Sequence, residues 1–140
     1  MFGGEYRHGL DAKNRIFIPA KLREELGTTF VIAKDIREKC LKVYSLSEWE
    51  AYIEPLREQK RKLSEKIMRF LHSSMTKATP DSQGRVVLPA ELVEHAQIEK
   101  ETVIVGCGKY AEIWAENVYE RMKEEIDLDE LIEELEELGF

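Results

Sequence analysis

The chain states one motif twice. Asp11-Ala12-Lys13-Asn14-Arg15-Ile16-Phe17-Ile18-Pro19-Ala20-Lys21-Leu22 returns seventy positions later as Asp81-Ser82-Gln83-Gly84-Arg85-Val86-Val87-Leu88-Pro89-Ala90-Glu91-Leu92. The Asp, Arg, Pro, Ala and Leu are identical, and the residues between Arg and Pro are apolar in both copies. Val43-Tyr44 returns as Ile113-Trp114 and Trp49 as Tyr119 at the same spacing. Such a period means one small supersecondary unit used twice. A unit of about 45 residues is near the lower limit for an independent core without disulfides or metal. The two copies are therefore expected to interlock in an α+β fold.

Each copy reads strand, turn, strand, short helix, strand, strand. The expected divisions are a first unit over 5–47, a helical linker over 48–75, a second unit over 76–119 and an acidic amphipathic helix over 120–140. Asp11 and Asp81 open turns and can accept from backbone N–H groups two and three residues on. Asn14 and Gly84 share the fourth position and are the residue types that best tolerate a left-handed backbone, as a bulged hairpin needs. Pro19 and Pro89 suit helix starts, and Gly27 a helix stop. Ser47 with Glu50, and Asn117 with Glu120, have capping-box spacing. Pro55 is expected to begin a second linker helix, with Leu56, Leu63, Ile67, Phe70 and Leu71 as its apolar stripe. Leu128, Leu131, Ile132, Leu135 and Leu138 mark a terminal apolar face that needs cover, from the same body, another subunit or a partner.

The net charge of −7 argues against a nucleic-acid partner until its distribution is considered. Residues 120–140 carry −8, which leaves +1 on the first 119 and +3 on residues 1–23. No apolar run reaches the roughly 18 residues of a membrane span, and the first residues lack the apolar middle of a secretory signal. Cys40 and Cys107 have no metal-like spacing, so a reducing cytoplasm is expected. His8, His72 and His95 lack a metal motif. Ser73-Ser74 beside His72 lacks both a nucleophile elbow and a third member. No catalytic or metal residue and no cofactor is assigned.

The doubled Asp-x-x-x-Arg turn, with Phe2-Gly3-Gly4, Gly84-Arg85-Val86-Val87-Leu88-Pro89 and Glu112-Ile113-Trp114, resembles the MraZ family over nearly the whole chain. The resemblance implies tandem AbrB-like halves, pseudo-two-fold swapped-hairpin β-barrel units in which one chain imitates a dimer. It also implies a transcription regulator, cytoplasmic and nucleoid-associated. Such a regulator acts as a ring-shaped homo-oligomer on short direct repeats of double-stranded DNA upstream of a division and cell-wall gene cluster. The DNA-binding set would be Arg15, Arg85, Lys13, Arg7, Asn14 and Gln83, on turns fixed by Asp11, Asp81 and Gly84. The long acidic end from Glu124 lies outside the motif.

A guanidinium at the exit of a tight turn can fork onto phosphate or a guanine edge. With Lys13 beside it, the first turn is the more basic and is expected to make the stronger contact. The competing reading makes each Arg a lock on its own Asp, four residues away across the hairpin. A different class of function is an antitoxin-like module whose acidic helix holds a partner. That helix could also shield the DNA-binding face as an internal competitor.

Overall fold

Residues 1–140 are all described by the computed structural model. The first copy comprises β1 (Glu5–Gly9), β2 (Arg15–Phe17), α1 (Ala20–Leu26), β3 (Phe30–Lys34) and β4 (Leu41–Ser45), followed by α2 (Leu46–Glu58) and α3 (Lys62–Ser74). The second comprises β5 (Thr76–Ala78), β6 (Arg85–Val87), α4 (Ala90–His95), β7 (Glu101–Gly106) and β8 (Ala111–Ala115), followed by α5 (Glu116–Glu124) and α6 (Leu128–Glu137).

The copies exchange their first strands. β1 pairs antiparallel with β7 of the other copy, from Glu5↔Val105 to Gly9↔Glu101, and β5 pairs with β3, from Phe30↔Ala78 to Ile32↔Thr76. The sheet order β1-β7-β8-β4-β3-β5 therefore reads the same from either end once equivalent strands are matched. At its centre Lys42 stands opposite Glu112, and in the second sheet, β2-β6, Ile16 stands opposite Val86. Both are pairs of repeat-equivalent residues, so a local pseudo-two-fold axis passes through both sheets. The swapped arrangement is present as expected. The strands are hydrogen-bonded as two sheets, not as one closed cylinder.

One core of 20 buried residues draws on both copies, so neither half has a main core of its own. Ile16 and Val86 from the ribbon, Leu22 and Leu92 from α1 and α4, and Ile32, Ile104, Leu41 and Ile113 from the large sheet fill it. Strand alternation sends Tyr44 and Trp114 to the opposite face. There Tyr44 joins Trp49, Ile53 and Leu71 of α2 and α3, while Trp114 joins Tyr119 of α5. No helix is long and apolar enough to cross a membrane.

Three local expectations are corrected. The first helix cap lies two residues earlier, because β4 runs into α2 without a loop: Ser45 is the N-cap and its hydroxyl accepts from the Glu48 N–H at 3.2 Å. Its counterpart is Ala115, which has no side-chain cap, so Asn117 is already inside α5. Pro55 lies inside α2, where both it and Ala51, whose carbonyl loses a bond, are exposed to water. The break instead falls at Gln59–Arg61. The acidic end is two helices, α5 and α6, with Asp127 capping the second through the Asp129 N–H at 2.9 Å.

Gly106 marks the tightest approach in the fold. A Cβ there would lie 2.2 Å from the Gly3 backbone nitrogen, where Phe2 bridges to Gly108. Gly106→Ala must push the amino-terminal segment off β7, and is expected to cost about 1–3 kcal/mol. A lowered urea midpoint at unchanged slope would show it; a midpoint equal to wild type would refute it.

Candidate nucleic-acid interface

Each turn is organised by one carboxylate. Oδ1 of Asp11 accepts from the backbone N–H groups of Lys13 and Arg15, both at 2.9 Å, and Oδ2 accepts from Arg15 Nε at 2.6 Å. The second backbone donor is thus four residues on, where three was expected, because the extra left-handed residue carries the chain past the turn. Asn14 has φ 56 and Gly84 φ 79, as the shared fourth position required. Asp81 repeats the scheme, with Gln83 and Arg85 N–H at 2.9 Å and Arg85 Nε at 3.0 Å.

The exchange of strands sets the two turns side by side. The Ile18 N–H donates to the Gly84 carbonyl at 2.9 Å and the Leu88 N–H to the Asn14 carbonyl at 2.8 Å, so each turn is held by the other copy. Arg85 Nη1 lies 3.9 Å from Asp11 Oδ2. The side chains of Arg15 and Arg85 are 27% and 29% exposed, so neither guanidinium is sealed inside. The lock and the contact are compatible: Nε is spent on the aspartate, while the terminal nitrogens keep donors of the guanidinium fork.

Asp11 is held below the usual carboxylate range, first by the Arg15 backbone N–H and then by the Arg15 side chain and the Lys13 N–H. Asp81 is lowered in the same way, first by the Arg85 backbone N–H. Two charged aspartates beside two arginines leave little net charge. The surplus comes from neighbours. Lys13 stands exposed on the first turn.

A cation from outside the doubled turn joins the second copy. Arg23, on α1 of the first copy, donates from Nε to the Ile18 carbonyl at 2.9 Å and lies with its Cζ 5.8 Å from the Phe17 ring centre. A Cβ at Gly84 would come within 3.0 Å of that Cζ. Arg23 forms no ion pair. The repeat-equivalent of Arg23 is Val93, packed against the core, and that of Gly84 is Asn14. The clue was therefore a pair of differences between the copies: Arg23 stands tight against Gly84, whereas its counterpart Val93 packs on the core and Asn14 takes the glycine's place. The second turn, with Gln83 in place of Lys13, thus borrows a cation from the other copy.

Arg7 is placed elsewhere. On β1 it contacts Glu120 at 2.6 Å and Glu5 and Glu116 at 3.3 Å, beside α5. Three carboxylates claim it, so it is not part of the turn surface. Asn14 and Gln83 sit on the turns themselves. His72 Nδ1 lies 3.0 Å from the Met68 carbonyl, and Ser73 and Ser74 both donate to the Phe70 carbonyl. Burial pushes the Cys107 thiol up to about 12, with Glu112 adding to the shift.

Known proteins resemble this chain over its whole length. The family model described as "MraZ protein, putative antitoxin-like" matches twice, over residues 1–70 and 71–138. The chain is 41% identical over 144 residues to the transcriptional regulator MraZ of Alkaliphilus oremlandii, and 40% identical over 147 residues to that of Clostridium acetobutylicum. It is 41% identical over 145 residues to that of a Thermoanaerobacter species. All three matches span 100% of both chains.

Two predictions follow from the turns. Gly84→Asn should lower stability by about 1 kcal/mol or more through its contact with Arg23 and Phe17, and the penalty should shrink in an Arg23→Ala background. Equal penalties in both backgrounds, by urea unfolding, would contradict the coupling. An aspartate lowered by folding stabilises the native state above its unfolded value and loses that contribution as pH falls through its folded value. Below the ordinary value of 3.8 the Lys13, Arg15, Gln83 and Arg85 amide resonances should therefore shift on acid titration. A midpoint at or above 3.8 would contradict the locked turns.

Proposed function

The chain belongs to the MraZ family, and from that premise we infer that it is a DNA-binding transcriptional regulator that engages the duplex with its paired turns. The observation that carries this reading is the juxtaposition of the Asp11–Arg15 and Asp81–Arg85 turns, each holding a partly exposed guanidinium on a fixed backbone. Arg15 and Arg85 make the principal contacts, on phosphate or on a guanine edge. Lys13 and Arg23 add phosphate contacts on either turn, and Asn14 and Gln83 face the same surface. Asp11, Asp81 and Gly84 fix the loops. Arg7 is assigned to the sheet, where its charge is neutralised.

One molecule offers only a few contacts, so useful affinity calls for several copies on repeated sites, linked through effective concentration. We therefore read the working form as a ring-shaped homo-oligomer on short direct repeats upstream of the division and cell-wall gene cluster. It works in the cytoplasm at the nucleoid, without a cofactor or catalysis of its own. A second reading, an antitoxin-like module that holds a partner, rests on α6, whose apolar face meets nothing in the chain.

Footprinting on DNA upstream of the chain's own gene tests the main reading. Arg15→Ala and Arg85→Ala should each cost about 1–3 kcal/mol, roughly five- to 150-fold in affinity, with oligomer size kept. Lys13→Ala and Arg23→Met should weaken binding evenly across sequences. Each should also reduce the salt slope by about 0.9. Wild-type footprints from both arginine variants would refute the assignment.

A further inference from the structure

The acidic terminal helix has a counterpart of opposite charge on the same molecule. α6 has no buried residue: Leu131, Ile132 and Leu135 are about half exposed, Leu128 69% and Phe140 89%. Residues 127–137 carry seven carboxylates and no base. α3, which follows α2 as α6 follows α5, shows the reverse. Lys60, Arg61, Lys62, Lys66 and Arg69 stand there against Glu65, and none of the five cations forms an ion pair in the chain. Along one edge of α3, Leu63, Ile67 and Phe70 recur at helical spacing, and Lys62, Lys66 and Arg69 precede each by one residue. Leu63 is 70% exposed, and Ile67 and Phe70 are only half-buried.

We propose that α6 of one copy docks its apolar face on the Leu63–Ile67–Phe70 edge of α3 in a second copy, with its carboxylates against Lys62, Lys66 and Arg69. The inference rests on the self-association read above and names the surface that produces it. Charge decides the occupant. Two α6 helices or two α3 edges brought together would set like charges face to face, so only the unlike pairing is favoured. The lengths also match, about 15 Å for ten helical residues and about 20 Å for thirteen. α2 and α3 cover the β3–β4 end of the large sheet, whereas α5, from which α6 continues, covers the β7–β8 end. A head-to-tail contact between copies leaves one free surface of each kind, and its repetition gives a ring where the rotation between copies closes.

Sedimentation velocity on the full chain tests this. Lys62→Glu with Lys66→Glu, and separately Glu134→Lys with Glu136→Lys, should each reduce the assembly to the 16.3 kDa monomer at micromolar concentration. Combining all four changes in one chain should restore it. Leu131→Ser with Leu135→Ser should abolish assembly as well, with the circular dichroism of the monomer unchanged in every variant. The docking is overturned if assembly size ignores either reversal, as it would if α6 served a different partner, or if the combined chain stays monomeric. A wild-type chain that is monomeric at every concentration would instead overturn the self-association reading itself.

Discussion

Everything in this molecule hangs on the exchange of first strands between the two copies. β1 completes the sheet of the second copy and β5 that of the first, so both edges of the large sheet are made by the copy that does not own them. The ribbon does the same on a smaller scale. The Asn14 and Gly84 carbonyls each accept from the other copy's chain just beyond its strand, which fixes the turns relative to one another. The donors belong to the buried residues Ile18 and Leu88, and a buried donor left without a partner costs about 1–3 kcal/mol. Neither turn can therefore be placed without the opposite copy, and the paired guanidinium groups are a product of the swap.

A duplicated chain can do on its axis what two identical chains cannot. An exact two-fold would set Lys42 against another Lys42 at the centre of the sheet, and like charges directly opposite are destabilising. Here the partner is Glu112. Lys42 also lies 3.5 Å from the buried Asp35 and 4.5 Å from the Tyr110 ring centre, while Glu112 accepts from the Trp114 indole at 3.1 Å. The same freedom explains why the turns differ: Arg23 faces Gly84, whereas its counterpart Val93 packs inward. It also explains how the helices that trail each sheet could take opposite charge.

Much of the fold was legible because its signals are local. The repeat, the left-handed positions at Asn14 and Gly84, the stop at Gly27 and the alternation in the strands all appear within a few residues of the cause. What escaped was non-local or depended on register. The N-cap moved from Ser47 to Ser45 because no sequence signal marks a strand that enters a helix without a loop. Arg7 reads as one more cation near the amino terminus until β1 is laid on β7, beside Glu116 and Glu120 of α5. Arg23 was hidden for the same reason, since its neighbour Gly84 is sixty-one positions away in the other copy. The amphipathic pattern of α6 was plain, but periodicity says only that a face needs cover, never which surface supplies it.

On the proposed reading, an Asp–Arg pair at the heart of the turn that meets DNA looks self-defeating, since the carboxylate cancels charge that phosphate would welcome. The geometry resolves this. Asp11 Oδ1 is occupied by two backbone donors and Oδ2 by Nε, so one side chain fixes both the loop and the angle of the guanidinium. An arginine free in solution carries about 2 kcal/mol of rotamer entropy, part of which is lost whenever it is fixed on a ligand. Restraining it beforehand moves that cost from binding to folding. In that reading the remaining attraction comes from Lys13 and Arg23, neither of which is tied to an aspartate. Orientation and charge are thus assigned to different residues: the doubled motif carries the first, and unequal residues outside its shared positions carry the second.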